Sequence, residues 1–277
     1  MRSKWSKAVL LSALMVTALL LPLMTVGLTT TAEPTGGSLA PLYIDNDGYH
    51  VILHGKDTMY QEYNVATPEP ELEYSPGDNP PIMVGKKIEN GAVVAFGGLP
   101  TFRGGTGYYG TRGYPDNVRW KEGEFDKLMH RVFQWLKSGA TTVLWYEGHG
   151  VYHTRSVASY FIDNMVAAPY NYTITGTTST PITSGLLAGK DILVIPQLQL
   201  GAGATGGNPT LLSDTEVEVI ENFVKAGGGL LIMEGSDYAT YNFYKVQNKI
   251  LKKFGFLYLL TQGRMKLACT PFARSAD

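Results

Sequence analysis

The segment 211–238, LLSDTEVEVIENFVKAGGGLLIMEGSDY, constrains the fold of this chain more than any other. Ser213 and Glu216 have the spacing of a helix-capping box, and the apolar residues that follow recur at helical intervals. Three glycines, 227–229, end the helix, and residues 230–233 have the continuous apolar character of a buried strand. The segment predicts one helix–strand unit of a parallel sheet, followed by a polar loop at the strand end where open α/β sheets bind ligands.

The same alternation of apolar strands and amphipathic helices extends over residues 88–260. Strands are predicted at 91–96, 141–146, 170–175, 191–196, 230–233 and 255–260, and further helices at 123–138, 154–166, 186–190 and 243–254. The pattern predicts an α/β domain with a doubly wound, flavodoxin-like parallel sheet of about five strands. We expect the loops after residues 146, 196 and 233 to gather at one edge of this sheet.

Residues 42–87 differ from this pattern and predict a small β-rich lead-in. Two apolar runs flank Asn46-Asp47-Gly48, and Asp-Gly between such runs predicts a β-hairpin. Residues 64–81 hold five of the fifteen prolines, which predicts an extended loop. The glycine- and tyrosine-rich stretch 99–120 predicts a long surface loop.

The amino-terminal region predicts export from the cytoplasm. Residues 1–7 are basic and 8–28 are almost entirely apolar, which is typical of a signal peptide or, given the length of the run, of a membrane anchor. We assign residues 1–32 to this signal or anchor and 33–41 to a linker. Under both alternatives the rest of the chain is extracytoplasmic. Residues 261–277 lose the strand–helix pattern and predict an irregular tail, which suggests a truncated or altered C-terminus.

Composition excludes several classes of function. The formal net charge is −1 and no basic patch is present, which argues against a nucleic-acid partner. The single cysteine, Cys269, allows neither a disulfide framework within the chain nor a thiolate metal cluster. The string GAGATG at 201–206 has the letters of a dinucleotide-binding motif, but it follows a late strand and leads into Asn-Pro. We therefore predict no cofactor.

Three stretches carry a resemblance to a known family: VLWYEGHGVY at 143–152, DILVIPQLQL at 191–200 and FVKAGGGLLIMEGSDY at 223–238. Through these motifs, about residues 142–256 resemble the class I glutamine amidotransferase-like superfamily. The resemblance is closer to its non-catalytic branch in secreted archaeal and bacterial proteins. It implies a flavodoxin-like core that works outside the cytoplasm.

The resemblance also implies where a catalytic cysteine would lie. Catalytic members carry a cysteine nucleophile at the tight turn after a strand like 230–233, with a histidine–glutamate pair downstream. In this chain that turn is Glu234-Gly235-Ser236-Asp237, no cysteine precedes Cys269, and no histidine follows His153. The thiolate–imidazole chemistry of the amidotransferase reaction is therefore excluded.

Acidic and imidazole side chains near the same edge leave an enzymatic alternative open. Glu147, His149 and Glu234 are candidate catalytic residues of a hydrolase or a metal-dependent enzyme. His149 and His153 are candidate metal ligands, but Gly150 interrupts a shared helix face, and no metal is assigned. The structural alternative is that Glu147 accepts hydrogen bonds from loop amides and His149 orders the Gly-His-Gly turn. We favour an exported, non-enzymatic binding or cell-envelope module, with the enzyme as the alternative.

Ligand-binding residues are predicted at the strand ends and in the aromatic stretch. Gln197, Ser236 and Asp237 follow predicted strands. Tyr108 and Tyr109 are placed to stack on a sugar or a peptide, or else to pack against their own domain. The expected partner is a glycan or a protein at the cell surface, with membrane contact through residues 8–28. Asn171 begins the glycosylation sequon Asn-Tyr-Thr.

Overall fold

A computed structural model describes the part of the chain that carries the α/β pattern. The described residues are 42–44, 48–55, 80–98, 102–104, 108–110, 119–121, 124–151, 154–196, 212–233, 243–258 and 269–271. The predicted signal or anchor and the linker, residues 1–41, lie outside them. Within the described residues, no helix is long and apolar enough to cross a membrane.

The secondary-structure elements follow one another with short connections. The first half contains β1 (Leu42–Ile44), β2 (Tyr49–Gly55), β3 (Pro81–Ile88), β4 (Gly91–Phe96), β5 (Phe102–Gly104), β6 (Tyr108–Gly110), β7 (Arg119–Lys121), α1 (Glu124–Leu136) and β8 (Thr142–Tyr146). The second half contains α2 (Ser159–Val166), β9 (Thr173–Thr177), α3 (Ser184–Leu187), β10 (Ile192–Ile195), α4 (Asp214–Lys225), β11 (Gly229–Met233), α5 (Phe243–Leu251), a 3-10 turn (Lys252–Phe254), β12 (Phe256–Tyr258) and β13 (Cys269–Pro271).

Five parallel strands form the centre of the main sheet, in the spatial order β4-β11-β10-β8-β9. The prediction of a doubly wound, flavodoxin-like sheet is confirmed. Counted from β8, the order β9-β8-β10-β11 is the 2-1-3-4 order of flavodoxin-like folds. The fifth position is filled by β4, which precedes the other four strands in the chain.

Helices cover both faces of the sheet, because its strands are apolar on both sides. On β11, Leu231 and Met233 belong to one core and Leu230 and Ile232 to the other. The first core contains the aromatic side chains of α1 and α2, which are Phe125, Phe133 and Phe161. The second core contains the buried residues of α4 and α5, which are Val217, Ile220, Val224, Ile250 and Leu251. All these side chains are at most 3% exposed.

Antiparallel strands extend the sheet beyond β4. Strand β3 pairs with β4, β2 with β3, and β13 with β2, so the lead-in 42–87 supplies two strands of the same sheet. The hairpin predicted around Asn46-Asp47-Gly48 is wrong, because β1 pairs with β12 in a separate two-stranded sheet. Leu42, opposite Tyr258, is 2% exposed. Burial of Leu42 in the second core outweighs the local turn signal.

Two regions that lacked a strand pattern contain strands. The predicted loop 99–120 contributes β5 and β6, which form a three-stranded antiparallel sheet with β7. The tail 261–277, predicted to be irregular, contributes β13 at the end of the main sheet. Each of these strands has three residues, too few to show an alternating pattern in the sequence.

The predicted capping box on α4 is confirmed. Ser213 Oγ accepts from the Glu216 amide at 3.2 Å, and Glu216 Oε2 accepts from the Ser213 amide at 2.8 Å. The helix predicted at 154–166 begins only at Ser159, because the preceding residues form turns in which Thr154 Oγ1 accepts from the Val157 amide.

Asp191 joins β8 to β10 at the amino-terminal edge of the parallel strands. Its Oδ2 atom accepts from the Thr141 and Thr142 amides at 3.0 and 2.9 Å and from Thr142 Oγ1 at 2.8 Å. Its Oδ1 atom lies 2.7 Å from Lys137 Nζ. Burial acts to raise the pKa of Asp191, but the bonds from Lys137, Thr141 and Thr142 outweigh it and hold the pKa well below its usual range.

Replacing Asp191 with asparagine is expected to lower the free energy of unfolding by about 2–3 kcal/mol at neutral pH, because bonds to a charged acceptor are lost. Since the folded pKa is depressed, this contribution is present above the unfolded pKa and is lost as pH falls through the folded one. Urea unfolding at about pH 7 and pH 3 measures both effects. Asp163→Asn, at an exposed position of α2, is the control. Equal stability of D191N and wild type at neutral pH would contradict this role.

Candidate functional site at the carboxyl edge of the parallel strands

The strand order reverses between β8 and β10, and this defines a switch point. From β8 the chain continues to β9 on one side, and from β10 it continues to β11 on the other. In open α/β sheets, ligands bind outside the carboxyl ends of the strands at such a point. Residues 147–151, here called the switch-point loop, leave β8 at this edge and contain Glu147 and His149.

Glu147 binds within its own connection. Its Oε1 atom accepts from the Arg155 backbone amide at 2.6 Å and lies 3.4 Å from Arg155 Nε. The Arg155 side chain lies against Gly176 of β9, where an added Cβ would be 2.0 Å from Nε. The Glu147 side chain, 11% exposed, therefore links the switch-point loop to the start of the next turn and the adjacent strand.

His149 pairs with a carboxylate from a distant helix. Its Nε2 atom lies 2.6 Å from Glu216 Oε1, and the two side chains are 6% and 3% exposed. His149 has a φ of 55°, in the left-handed region that few residues other than glycine adopt. The pair thus holds the switch-point loop against the amino end of α4.

Glu216 also binds two other segments. Oε1 accepts from the Ile182 amide at 2.9 Å, and Oε2 accepts from Ser213 Oγ at 2.9 Å besides its amide. Burial acts to raise the pKa of Glu216, but the hydrogen bonds from Ser213, Ile182 and His149 outweigh it and lower the pKa. One ionised carboxylate therefore joins the switch-point loop, the segment after β9 and the start of α4.

Tyr146, the last residue of β8, lies beside this pair. Its ring centroid is 5.9 Å from that of His149. Burial and the charge of Glu216 raise the pKa of its hydroxyl. That hydroxyl is buried and has no hydrogen-bond partner in the described part of the chain. A Cβ at Gly148 would lie 2.4 Å from the Tyr146 hydroxyl, so the loop requires glycine there.

Side chains from α5 and β12 cover the rest of the edge. Gln247 Nε2 donates to the carbonyl oxygens of Pro196 at 3.1 Å and Met233 at 3.4 Å. The Tyr258 hydroxyl lies 3.0 Å from the carbonyl oxygens of Phe96 and Ile232. The strand ends of β4, β10 and β11 are thus bonded within the protein, which directs attention to β8 and β9 as the open part of this edge.

The other predicted site residues are placed as follows. Glu234, Ser236, Asp237, Gln197 and His153 lie outside the described residues. Tyr108 and Tyr109 lie on β6, where the backbone alone is described. Asn171 is exposed in the turn before β9. Among described residues, no group of three or more His, Cys, Asp or Glu side chains could hold a metal ion.

Glu216 is the site residue that the sequence analysis missed. Its capping role accounts for its place in the sequence, and His149 is 67 residues away. No local pattern signals a contact of that length, so only the packing of α4 beside the switch-point loop reveals it.

The fold defines a doubly wound α/β domain, and comparisons with known proteins add similarity at the level of structure. No family model matches the sequence, and no curated protein matches it. Matching solved structures include IMPa from Pseudomonas aeruginosa in complex with an O-glycopeptide, at a TM-score of 0.43 and 12% identity over 86% of this chain and 22% of that one. Another is the IMPa metallopeptidase in complex with T-antigen, at a TM-score of 0.42 and 12% identity over the same shares. This chain spans about a fifth of their length, 22%.

Proposed function

We propose that this protein is an exported, non-enzymatic α/β module that binds a glycan or a protein at the cell surface through the switch-point edge of its sheet. The amino-terminal basic and apolar pattern supports export. The resemblance to the non-catalytic amidotransferase-like branch supports the absence of turnover. The lone cysteine lies on β13, separated from β11 by β2, β3 and β4.

One observation carries the proposal: the two described candidate catalytic residues bind different partners. Glu147 is bonded to Arg155, and His149 is bonded to Glu216. Glu216 in turn accepts from the amides of two further segments. These bonds position the loops rather than direct two functional groups at one reacting atom, as acid–base catalysis requires. A rigid loop framework at a switch point suits recognition of a ligand.

The second candidate is an extracytoplasmic hydrolase or metal-dependent enzyme that uses Glu147, His149 and Glu234. The short contact between His149 and Glu216 favours it, since a carboxylate that orients an imidazole is a common part of hydrolase sites. In that case His149 would act as the base, and Glu216 would replace Glu147 as its partner.

Turnover and binding by the purified full chain separate the two candidates. We expect no hydrolysis of ester, peptide or glycoside substrates above background, and no change in Glu147→Gln or His149→Gln. We expect a binding signal on an array of cell-surface glycans and proteins. Gly148→Ala should weaken that signal, because the added methyl would displace the Tyr146 side chain beneath the switch-point loop.

Gly185→Ala is the control for the binding measurement, because the nearest atom to its added Cβ is 3.9 Å away. Turnover that H149Q abolishes would support the enzyme and end the proposal. Binding that G148A and G185A leave equal would place the ligand elsewhere on the molecule.

A further inference from the structure

The glycosylation sequon lies in an exposed turn between α2 and β9. Asn171 is exposed and has a φ of 54°, a left-handed conformation that asparagine adopts more readily than most residues. Its Nδ2 atom donates to the Pro169 carbonyl oxygen at 3.2 Å, within the same exposed turn. In the whole 277-residue chain, the other Asn-x-Thr is Asn208-Pro209-Thr210, whose proline excludes glycosylation.

The middle residue of the sequon anchors the turn. Tyr172 is 2% exposed, and its hydroxyl accepts from Gln134 Nε2 at 2.8 Å and lies 3.0 Å from His130 Nδ1. Because Tyr172 points into the first core, its neighbours Asn171 and Thr173 point outward and are both exposed. The amide and the hydroxyl that define the sequon are therefore presented together at the surface.

Strand β9 also forms the end of the main sheet. Among the described strands it pairs with β8 alone. Its sequence, TITGT, has no charged residue and no proline, the features that usually prevent edge strands from pairing with another chain. Two basic side chains reach it, Lys190 at Thr175 and Arg155 at Gly176, and both contacts lie beyond the sequon.

We propose that the exported chain carries an N-linked oligosaccharide on Asn171, and that this sugar shields the free edge of β9 from pairing with a second copy. Asn171 Nδ2 forms a bond to the anomeric carbon of a lipid-diphosphate-linked oligosaccharide. The lipid diphosphate leaves with the bonding electrons, and the amide nitrogen loses one proton. The inference rests on the export that forms part of the proposed function.

The modification is tested on the full chain, expressed in cells whose secretory pathway contains an oligosaccharyltransferase and recovered after export. Trypsin releases the sequon in one peptide, residues 156–190, because the flanking basic residues are Arg155 and Lys190. Mass spectrometry is expected to find glycan on that peptide in wild type and in Thr173→Ser. The glycan should be lost in Asn171→Gln and in Thr173→Ala.

An exported wild-type chain with an unmodified 156–190 peptide would overturn the inference and leave export standing. A chain found in the cytoplasm alone would overturn both, and the cellular location distinguishes the two failures. Glycan binding and turnover of the chain are measured separately and do not enter this result.

The shielding role is tested with two variants that both lack the sequon. Thr173→Ala removes the sugar and leaves the edge bare, so its sedimentation coefficient should rise with concentration. Thr173→Lys also removes the sugar but places a charge on the edge strand, so it should sediment as a monomer. A T173A chain that stays monomeric at the same concentrations would overturn the shielding role.

Discussion

Replacing Gly91 with alanine is expected to lower the free energy of unfolding by more than about 3 kcal/mol, among the largest effects of any single methyl group in this protein. The added Cβ would lie 2.1 Å from the Val224 carbonyl oxygen and 2.4 Å from that of Gly228. Both obstacles are backbone atoms, and Val224 O already accepts from the Gly227 amide at 2.9 Å. The clash is relieved only if β4 moves away from the end of α4, which disrupts its pairing with β11.

Urea unfolding of the purified chain measures this effect, and a variant that never accumulates in folded form is its extreme case. Gly185→Ala is the matched control, because its added Cβ has open space in the short helix α3. Its stability should stay within about 1 kcal/mol of wild type. If G91A were as stable as G185A, the close approach of β4 to α4 would be wrong.

Replacing Glu216 with alanine is expected to cost about 3–5 kcal/mol, since it removes one member of a buried pair and leaves several donors unsatisfied. The donors are the amides of Ser213 and Ile182, the Ser213 hydroxyl and the His149 ring. Glu218→Ala is the control, because it changes an exposed glutamate of the same helix. A loss in E216A no larger than in E218A would refute the role of this carboxylate.

The same carboxylate predicts a pH dependence with a defined sign. Because the pKa of Glu216 is lower in the folded state, its contribution is complete above the unfolded pKa and is lost as pH falls through the folded pKa. Wild type should therefore lose more stability on acidification than Glu216→Gln. A double-mutant cycle of Glu216→Gln with His149→Gln isolates the pair, and a coupling energy near zero would show that the 2.6 Å contact contributes nothing.

Much of the site lies beyond what local patterns reveal. Glu147 and His149 were recognised because they directly follow an apolar strand, and the structure places both in the switch-point loop. Their partners were not recognised. Arg155 is eight residues from Glu147 and bonds through its backbone amide, and Glu216 is 67 residues from His149. Side-chain chemistry alone suggested a shared catalytic centre, whereas packing gives each residue its own partner.

The types of the main elements follow from sequence patterns. Apolar periodicity sets which faces of a segment avoid water, and a capping box acts within four residues, so the helices and parallel strands were predictable. Strand pairing depends on surfaces that remote segments contribute. Burial of Leu42 beside β12 rather than β2, the addition of β13 to the sheet, and the contact of Glu216 with His149 were decided when the two cores closed. Burial is a property of the assembled layers, and no single segment contains it.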